Sequence, residues 1–306
     1  MNRFRERIGC GPPVVIAHRG DSAHAPENTL DAARLGHAAG AFAWELDVHL
    51  SRDGVAVVVH DESLLRTTDV AARFARDPRA MSGFRVADLD WSEIRQLDAG
   101  SWFVDGACRP RSAQAFGTLA GLAPAALHRF TSGSVRVPNL VEALELTRDL
   151  DWLVNVELKT FPEADPRLRH AVLAAIDLTE TADRVLISSF DHADVANVAS
   201  ARAEIATGVL IETPLHREHA YVRNLVGADF LHLSAAAMGA ESRAYQSHAS
   251  PRSLRAIGAG QPPLPRLVYT VNDARPDGLA AHLGGVGAAG VFTDDPRAAR
   301  ALWPDA

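Results

Sequence analysis

Residues 15–39 read VIAHRGDSAHAPENTLDAARLGHAA, and this stretch predicts a strand followed by a helix, the unit that recurs along the chain. Its first residues are apolar and predict a buried strand, and Leu30–Ala39 predicts a helix with Asn28 as its N-cap. His18 and Arg19 stand at the end of the strand. A buried strand gains nothing from polar side chains at its tip, so this tip indicates an active site.

The same alternation continues along the 306 residues of the chain. The predicted strands are 14–17, 42–49, 55–59, 152–158, 185–188, 208–211, 230–233, 267–271 and 290–293, and the predicted helices are 30–39, 140–149, 166–178, 193–203, 216–226 and 277–283. If 42–59, with its Asp53-Gly54 turn, counts as one β-unit, the chain has eight such units. Eight units at this spacing favour an α/β fold, a closed (β/α)₈ TIM barrel. An open doubly wound sheet is the alternative, but the G-x-G-x-x-G turn that it would want is absent.

Residues 62–136 interrupt this alternation of strands and helices. The stretch is mostly polar and rich in Arg, and it directly follows the second β-unit. Because a loop of this length in a compact domain is usually a functional lid or a small subdomain, we interpret it as a capping insertion over the barrel mouth. Residues 1–306 are then one TIM-barrel domain that carries this small insertion.

Composition excludes several classes of function. A net charge of −7 argues against a nucleic acid partner, although a local group of cations could still bind a small phosphate ester. The two cysteines, Cys10 and Cys108, provide neither a disulfide framework nor a thiolate metal site. No secretory signal and no long apolar run occur, so we expect a cytoplasmic protein without stable membrane insertion. The oligomeric state is left open.

Carboxylates are placed on the predicted strands at two-residue spacing, which puts them on one face. Glu45 and Asp47 share a face of one strand, as Glu157 and Lys159 do on another. Carboxylates that face a barrel axis together repel each other, so a cation is expected beside them. Oxygen ligands favour Mg²⁺ or Ca²⁺ over Zn²⁺. The alternative is that these carboxylates form only buried ion pairs with Arg19 and Lys159.

Two histidines, His18 and His60, each end a predicted strand. Because imidazole titrates near neutral pH, one of them could act as a general base and the other as a general acid. The sequence does not decide which histidine has which role. We expect His24 and His49, which flank the site in sequence, to be solvated or structural. No nucleophile elbow and no Cys-His pairing are present.

These residues occur in an ordered series of short motifs that spans nearly the whole chain. The motifs are His18-Arg19-Gly20, Pro26-Glu27-Asn28-Thr29, Glu45-x-Asp47-Val48, Asp53-Gly54, Val58-Val59-His60-Asp61, Leu65-Arg66-Thr67-Thr68, Leu97-Asp98-Ala99-Gly100-Ser101-Trp102-Phe103, Asn155-Val156-Glu157-Leu158-Lys159, Ser188-Ser189-Phe190, Thr270-Val271-Asn272 and Thr293-Asp294-Asp295-Pro296. Each motif is weak alone, but their order and spacing resemble those of glycerophosphodiester phosphodiesterases.

The resemblance implies a TIM barrel that has an insertion after its second β-unit. It implies hydrolysis of small-molecule glycerophosphodiesters to glycerol 3-phosphate and an alcohol, with a divalent cation, Mg²⁺ or Ca²⁺, as cofactor. The nucleophile could be water or a neighbouring hydroxyl of the glycerol. The resemblance assigns acid/base roles to His18 and His60, the metal-ligand role to Glu45, Asp47 and Glu157, phosphate binding to Arg19 and Lys159, and a pocket-lining role to Phe190.

Some positions depart from the pattern of the family. Tyr269 stands where Trp is frequent, His49 replaces a neutral polar residue, and residues 108–137 form a longer stretch. These differences concern the leaving-group pocket and leave two alternatives. A lysophospholipase D-like enzyme would have an apolar lid, for which Trp102 and Phe103 are candidates. A non-catalytic protein that binds phosphate ligands would be expected to lack one of the histidines or carboxylates, and none is missing.

Overall fold

Nine strands form a single sheet in the computed structural model, which describes residues 2–9, 11–105, 117–119, 121–160, 165–213, 215, 217–237, 264–285 and 287–303. The predicted features at Cys10, Cys108 and His216 lie outside the described residues. The strands are β1 (Val14–His18), β2 (Ala43–Leu50), β3 (Ala56–Val58), β4 (Val154–Leu158), β5 (Val185–Ser189), β6 (Ala206–Ile211), β7 (Phe230–Ser234), β8 (Arg266–Tyr269) and β9 (Gly290–Thr293).

Eight of these strands close into a barrel. The order is β1-β2-β4-β5-β6-β7-β8-β9, every neighbouring pair is parallel, and β9 returns to pair with β1. The short strand β3 runs antiparallel to β2 at the side of the barrel, after a turn in which Gly54 has a φ of 86°. This closed parallel sheet confirms the predicted (β/α)₈ barrel, and counting β2 and β3 as one unit is correct.

Helices precede, connect and follow the strands, and several of them cover the outside of the barrel. They are α1 (Arg3–Arg7), α2 (Leu30–Ala38), α3 (Val70–Arg73), α4 (Trp91–Ile94), α5 (Ser101–Val104), α6 (Pro124–Thr131), α7 (Leu140–Asp149), α8 (Pro166–Thr179), α9 (His192–Ala201), α10 (Leu279–Gly285) and α11 (Pro296–Leu302), with 3₁₀ turns at Pro78–Ser82 and Val86–Asp88 and a π-helix at Ala220–Val226. None of the described helices combines the length and apolar character needed to cross a bilayer.

The N-cap predicted for α2 is wrong by one residue. Thr29 is the cap, and its hydroxyl accepts a hydrogen bond from the backbone N–H of Ala32. Asn28 instead has a left-handed backbone with a φ of 57°, which asparagine tolerates better than most residues. Its side chain points away from the helix and binds Asp47.

Side chains alternate between the barrel interior and the helical layer along each strand. At the end of the barrel where the strands begin, the interior is apolar, and residues such as Ile16, Leu186 and Phe230 pack around the axis. Helix α1 closes this end of the barrel, because Phe4 and Ile8 belong to the same buried cluster. All polar interior side chains considered below lie at the opposite end, where the parallel strands terminate.

Residues 62–136 contain helices α3 to α6 and both 3₁₀ turns in the parts that the structure describes. Many of their apolar side chains form a separate buried cluster, which includes Leu64, Phe84 and Leu97. Val57 and Val59 belong to the same cluster, so it extends directly to the residue before His60. The described part of the segment therefore packs against β3 and against the residue before His60.

Candidate active site

Three carboxylates meet at the C-terminal end of the barrel. Glu45 and Asp47 project inward from β2, and Glu157 projects from the neighbouring strand β4, where it is the register partner of Asp47. All three are buried, and one oxygen from each lies within 4.8 Å of the others. The two-residue spacing puts Glu45 and Asp47 on one face of β2, and the pairing of β4 with β2 brings Glu157 to them.

Two of the three carboxylates have cationic partners. Asp47 lies 2.9 Å from Lys159 Nζ and 3.3 Å from Arg19 Nε, and it accepts a hydrogen bond of 2.8 Å from Asn28 Nδ2. Lys159 also contacts Glu157. The ion pairs expected under the alternative interpretation are thus present, but they account for only part of the cluster.

Glu45 is the exception among the three. Its Oε2 accepts a hydrogen bond of 3.0 Å from the backbone N–H of Arg19, whereas its buried Oε1 has no hydrogen-bond partner within the described part of the chain. Burial, Asp47 and Glu157 together raise the pKa of Glu45 well above its ordinary value. A buried carboxylate oxygen without a partner costs free energy unless a ligand reaches it.

The balance of charge in the cluster also favours a bound ligand. Three carboxylates face two cationic side chains, Arg19 and Lys159, so one negative charge is in excess when all five are ionised. Burial alone would raise the pKa of Asp47, but Lys159, His60 and Arg19 hold it well below its ordinary value. The cluster therefore fits a hard divalent cation with oxygen ligands.

His18 lies at the end of β1, beside this cluster. Its Nε2 is 4.0 Å from Glu45 Oε2, and its Nδ1 is 2.6 Å from Asp294 Oδ1. An ionised carboxylate can only accept, so Nδ1 carries the hydrogen and donates to Asp294. Asp294 also accepts from Ser22 Oγ at 3.1 Å and from Asn272 Nδ2 at 2.8 Å. Three donors therefore fix the carboxylate that orients His18.

The turn after His18 depends on an unusual backbone. Arg19 and Gly20 both have left-handed conformations, with φ of 58° and 82°. A Cβ at Gly20 would lie 2.5 Å from the carbonyl carbon of Ala32, so only glycine fits there. This tight turn directs the Arg19 N–H at Glu45 and brings the guanidinium to Asp47.

His60 is held beside Asp47. The backbone N–H of Val59 donates to the carbonyl oxygen of Asp47 at 3.0 Å, which places His60 beside β2. The Nδ1 of His60 is 2.7 Å from Asp61 Oδ1. His49 Nε2 donates to the backbone carbonyl of His60 at 3.0 Å, so His49 has a structural contact at this point.

The remaining predicted residues also lie at this end of the barrel. Carboxylates raise the pKa of both Arg19 and Lys159 against the opposing effect of burial, so both carry positive charge at neutral pH. Phe190 follows β5, is partly exposed, and packs edge to face against Tyr269 with 6.2 Å between ring centroids. Burial and then Glu157 raise the pKa of the Tyr269 hydroxyl, which donates a hydrogen bond of 2.9 Å to the backbone carbonyl of Ile211.

Several contacts in the site were not predicted. Asp294 was quoted only as part of a motif, yet it binds His18 directly. Arg66 and Glu27 form an ion pair at the rim that connects to both histidine loops. The position of Asp294 at the end of the last strand was the available signal, because β9 and β1 become neighbours when the barrel closes.

Comparison with known proteins bears on the family of the chain. A sequence model of the glycerophosphoryl diester phosphodiesterase family matches residues 18–298. The glycerophosphodiester phosphodiesterase of Caldanaerobacter subterraneus subsp. tengcongensis is 35% identical over 202 residues, 66% of this chain and 68% of that protein. The glycerophosphodiester phosphodiesterase of Bacillus altitudinis is 30% identical over 212 residues, 69% of this chain and 71% of that protein.

Among solved structures, an Oleispira antarctica phosphodiesterase in complex with the product sn-glycerol-3-phosphate superimposes with a TM-score of 0.71 and is 25% identical. That match covers 96% of this chain and 98% of the other. The family match spans the barrel from His18 to α11 and includes every residue of the cluster described above. The chain therefore belongs to the glycerophosphoryl diester phosphodiesterase family of enzymes.

Proposed function

We propose that this enzyme hydrolyses glycerophosphodiesters to glycerol 3-phosphate and an alcohol, with Mg²⁺ or Ca²⁺ held by Glu45, Asp47 and Glu157. The excess negative charge of the carboxylate cluster, together with the unpartnered Glu45 Oε1, carries the proposal. An anionic phosphodiester would be repelled by this cluster alone, whereas a divalent cation reverses the sign of its net charge. The product complex of the Oleispira antarctica phosphodiesterase supports glycerol 3-phosphate as the phosphate-containing product.

The carboxylate cluster defines where the phosphate would bind. When bound, a divalent cation supplies positive charge that stabilises negative charge developing on the phosphate oxygens. Arg19 and Lys159 add two fixed cations at the same place and orient the phosphate. Asn28 both donates to the Asp47 carboxylate and accepts from its backbone N–H, so the ligand side chain is already fixed before substrate arrives.

The two histidines supply proton transfer. Asp294 and Asp61 bind the Nδ1 atoms of His18 and His60, so each ring offers its Nε2 atom to the substrate. One imidazole removes a proton from the nucleophile, which is water or the neighbouring hydroxyl of the glycerol, and the other protonates the departing alkoxide. If the glycerol hydroxyl attacks, water then opens the resulting cyclic phosphate to give glycerol 3-phosphate. The described part of residues 62–136 packs beside His60, and we propose that residues 62–136 cap the mouth over the bound diester.

Removing either imidazole tests the catalytic roles. We expect His18→Ala and His60→Ala each to lower kcat by at least about 100-fold, because each variant loses one proton-transfer group. Steady-state assays with glycerophosphocholine measure this effect, and circular dichroism checks that the variants fold. The proposal would be wrong if either variant kept near-full activity toward diesters with choline, ethanolamine, inositol and glycerol head groups, and toward lysophospholipids.

Cation removal tests the metal site. We expect EDTA to abolish turnover and Mg²⁺ or Ca²⁺ to restore it. Isothermal titration calorimetry provides a measurement independent of turnover: Glu45→Gln should bind the cation at least about 10-fold more weakly than the unchanged protein, since it replaces a ligand carboxylate. Full activity in EDTA, or unchanged cation affinity in Glu45→Gln, would contradict the metal role.

A further inference from the structure

Arg66 occupies an unusual position at the rim of the site. It lies in the insertion and uses its guanidinium to bind two carboxylates at once. Its Nε and Nη2 donate to Asp61 at 2.6 and 2.9 Å, and its Nη1 and Nη2 donate to Glu27 at 2.7 and 2.8 Å. Both contacts are bidentate, which is the strongest geometry available to an arginine and a carboxylate.

Each carboxylate also binds one of the proposed active-site residues. Asp61 accepts from His60 Nδ1 at 2.7 Å, and Glu27 accepts from Arg19 Nη1 at 2.9 Å. The result is a continuous series of contacts, His60–Asp61–Arg66–Glu27–Arg19, which we name the arginine bridge. It connects the loop after β3 to the loop after β1.

The inner part of the arginine bridge is buried and charged. Glu27 is only 9% exposed. Burial tends to raise its pKa, but Arg19 and Arg66 outweigh burial and lower the pKa to about 2. Glu27 is therefore ionised at neutral pH. Its contact with Arg19 is partly buried, where a charged hydrogen bond is stronger than at an exposed surface, whereas its contact with Arg66 lies at the rim, because the Arg66 side chain is 41% exposed.

We propose that Arg66 is a positioning residue, which holds His60 through Asp61 and Arg19 through Glu27 at a fixed separation. This inference rests on the proposed roles of His60 and Arg19. Four of the five N–H donors of Arg66 bind carboxylates, and the charge of the guanidinium is balanced by two anions. Arg66 thus acts on the reaction through its neighbours, without contacting the phosphate.

Arg79 offers a matched control within the same insertion. It also binds two carboxylates, Asp77 at 2.7 Å and Glu93 at 2.8 Å. These partners do not belong to the arginine bridge, and Arg79 packs its guanidinium over the Phe74 ring, within the insertion. Replacing either arginine by lysine keeps the charge but removes the bidentate geometry.

The experiment compares Arg66→Lys with Arg79→Lys. We expect Arg66→Lys to lower kcat about 10-fold to 100-fold, as is typical when a residue that orients an active-site side chain is lost, with KM within about twofold. Arg79→Lys should leave kcat unchanged. A higher KM with unchanged kcat in Arg66→Lys would overturn the inference, because it would show Arg66 binding substrate directly. Equal kcat in the two variants would overturn it as well.

Two further measurements separate this inference from the proposed function. If Arg66 acts through Asp61, Arg66→Lys/Asp61→Asn should lose no more kcat than the worse single variant, whereas additive losses would contradict the arginine bridge. His60→Ala is assayed in the same series. Full activity of His60→Ala would refute the proposed function itself, whereas its inactivity together with a fully active Arg66→Lys would refute only the positioning role.

Discussion

His18 and His60 both lie beside β2, the strand of Glu45 and Asp47, but they are held by different means. Asp294, the partner of His18, is 6% exposed and is fixed by neutral donors from Ser22 and Asn272. Asp61, the partner of His60, is 30% exposed and is fixed by the cationic Arg66. The first arrangement belongs to the barrel, whereas the second requires the insertion.

The difference indicates which part of the molecule controls each imidazole. Asp294 directly follows β9, which pairs with β1, so the orientation of His18 follows from barrel closure. Asp61 is oriented by charges at a partly exposed rim, where salt and pH weaken such contacts more than they weaken buried neutral hydrogen bonds. The insertion is therefore part of the site as well as its proposed cover.

The largest effect should come from removing Asp294, which orients His18. Asp294→Ala removes the acceptor that fixes the tautomer of His18, and we expect kcat to fall on the order of 10²-fold to 10³-fold. It also leaves the donors of Ser22 and Asn272 without this acceptor, which should cost about 1–3 kcal/mol of unfolding free energy. Steady-state kinetics and thermal denaturation measure the two effects.

Asp295→Ala is the matched control for this variant. Asp295 caps α11 through the backbone N–H of Ala298, so its removal should cost about 1 kcal/mol of stability. Its carboxylate caps the helix, whereas Asp294 binds His18, so kcat should stay near that of the unchanged enzyme. Similar kcat values for Asp294→Ala and Asp295→Ala would contradict the role of Asp294 in orienting His18.

A smaller effect, on the stability of the fold, should come from replacing Glu27 at the rim of the site. The pKa of Glu27 is about 2 in the folded chain against an ordinary 4.5. Its ionised form therefore stabilises the fold fully above about pH 4.5, and this contribution is lost as the pH falls through about 2. The difference in Tm between the unchanged chain and Glu27→Gln should be larger at about pH 7 than at about pH 3.5. A difference that grows with acid would contradict the ion-pair assignment.

The smallest effect concerns the loop after β1 and has the opposite dependence on pH. His24 Nδ1 lies 2.7 Å from Asp21, and this hydrogen bond raises the pKa of His24 against the effect of burial. The contribution of His24 to stability is present below pH 6.5 and is lost as the pH rises through the raised pKa. His24→Gln should lower Tm more at about pH 5.5 than at about pH 9. A larger loss at alkaline pH would contradict this assignment.

Strand geometry explains why most of the site was predictable. Alternation along a strand is local, so the shared faces of Glu45 with Asp47 and of Glu157 with Lys159 follow from spacing alone. The barrel was predictable because eight strand-helix units leave few other arrangements. The ends of the strands then had to lie together, which brought His18 near the carboxylates.

The remaining contacts depend on tertiary structure. His18 and Asp294 are separated by 276 positions and meet only because the barrel closes. The pairing of Arg66 with Glu27 spans 39 positions and depends on how the insertion packs beside His60. Asn28 and Thr29 are both suitable caps by residue type, and only the left-handed backbone at Asn28 decides between them.

A crystal structure with Ca²⁺ and glycerol 3-phosphate would show directly where the cation and the phosphate bind. We expect the cation on Glu45, Asp47 and Glu157, and the phosphate between the Nε2 atoms of His18 and His60, with both Nδ1 contacts to aspartate intact. A cation bound elsewhere, or an imidazole turned away from the phosphate, would contradict the account.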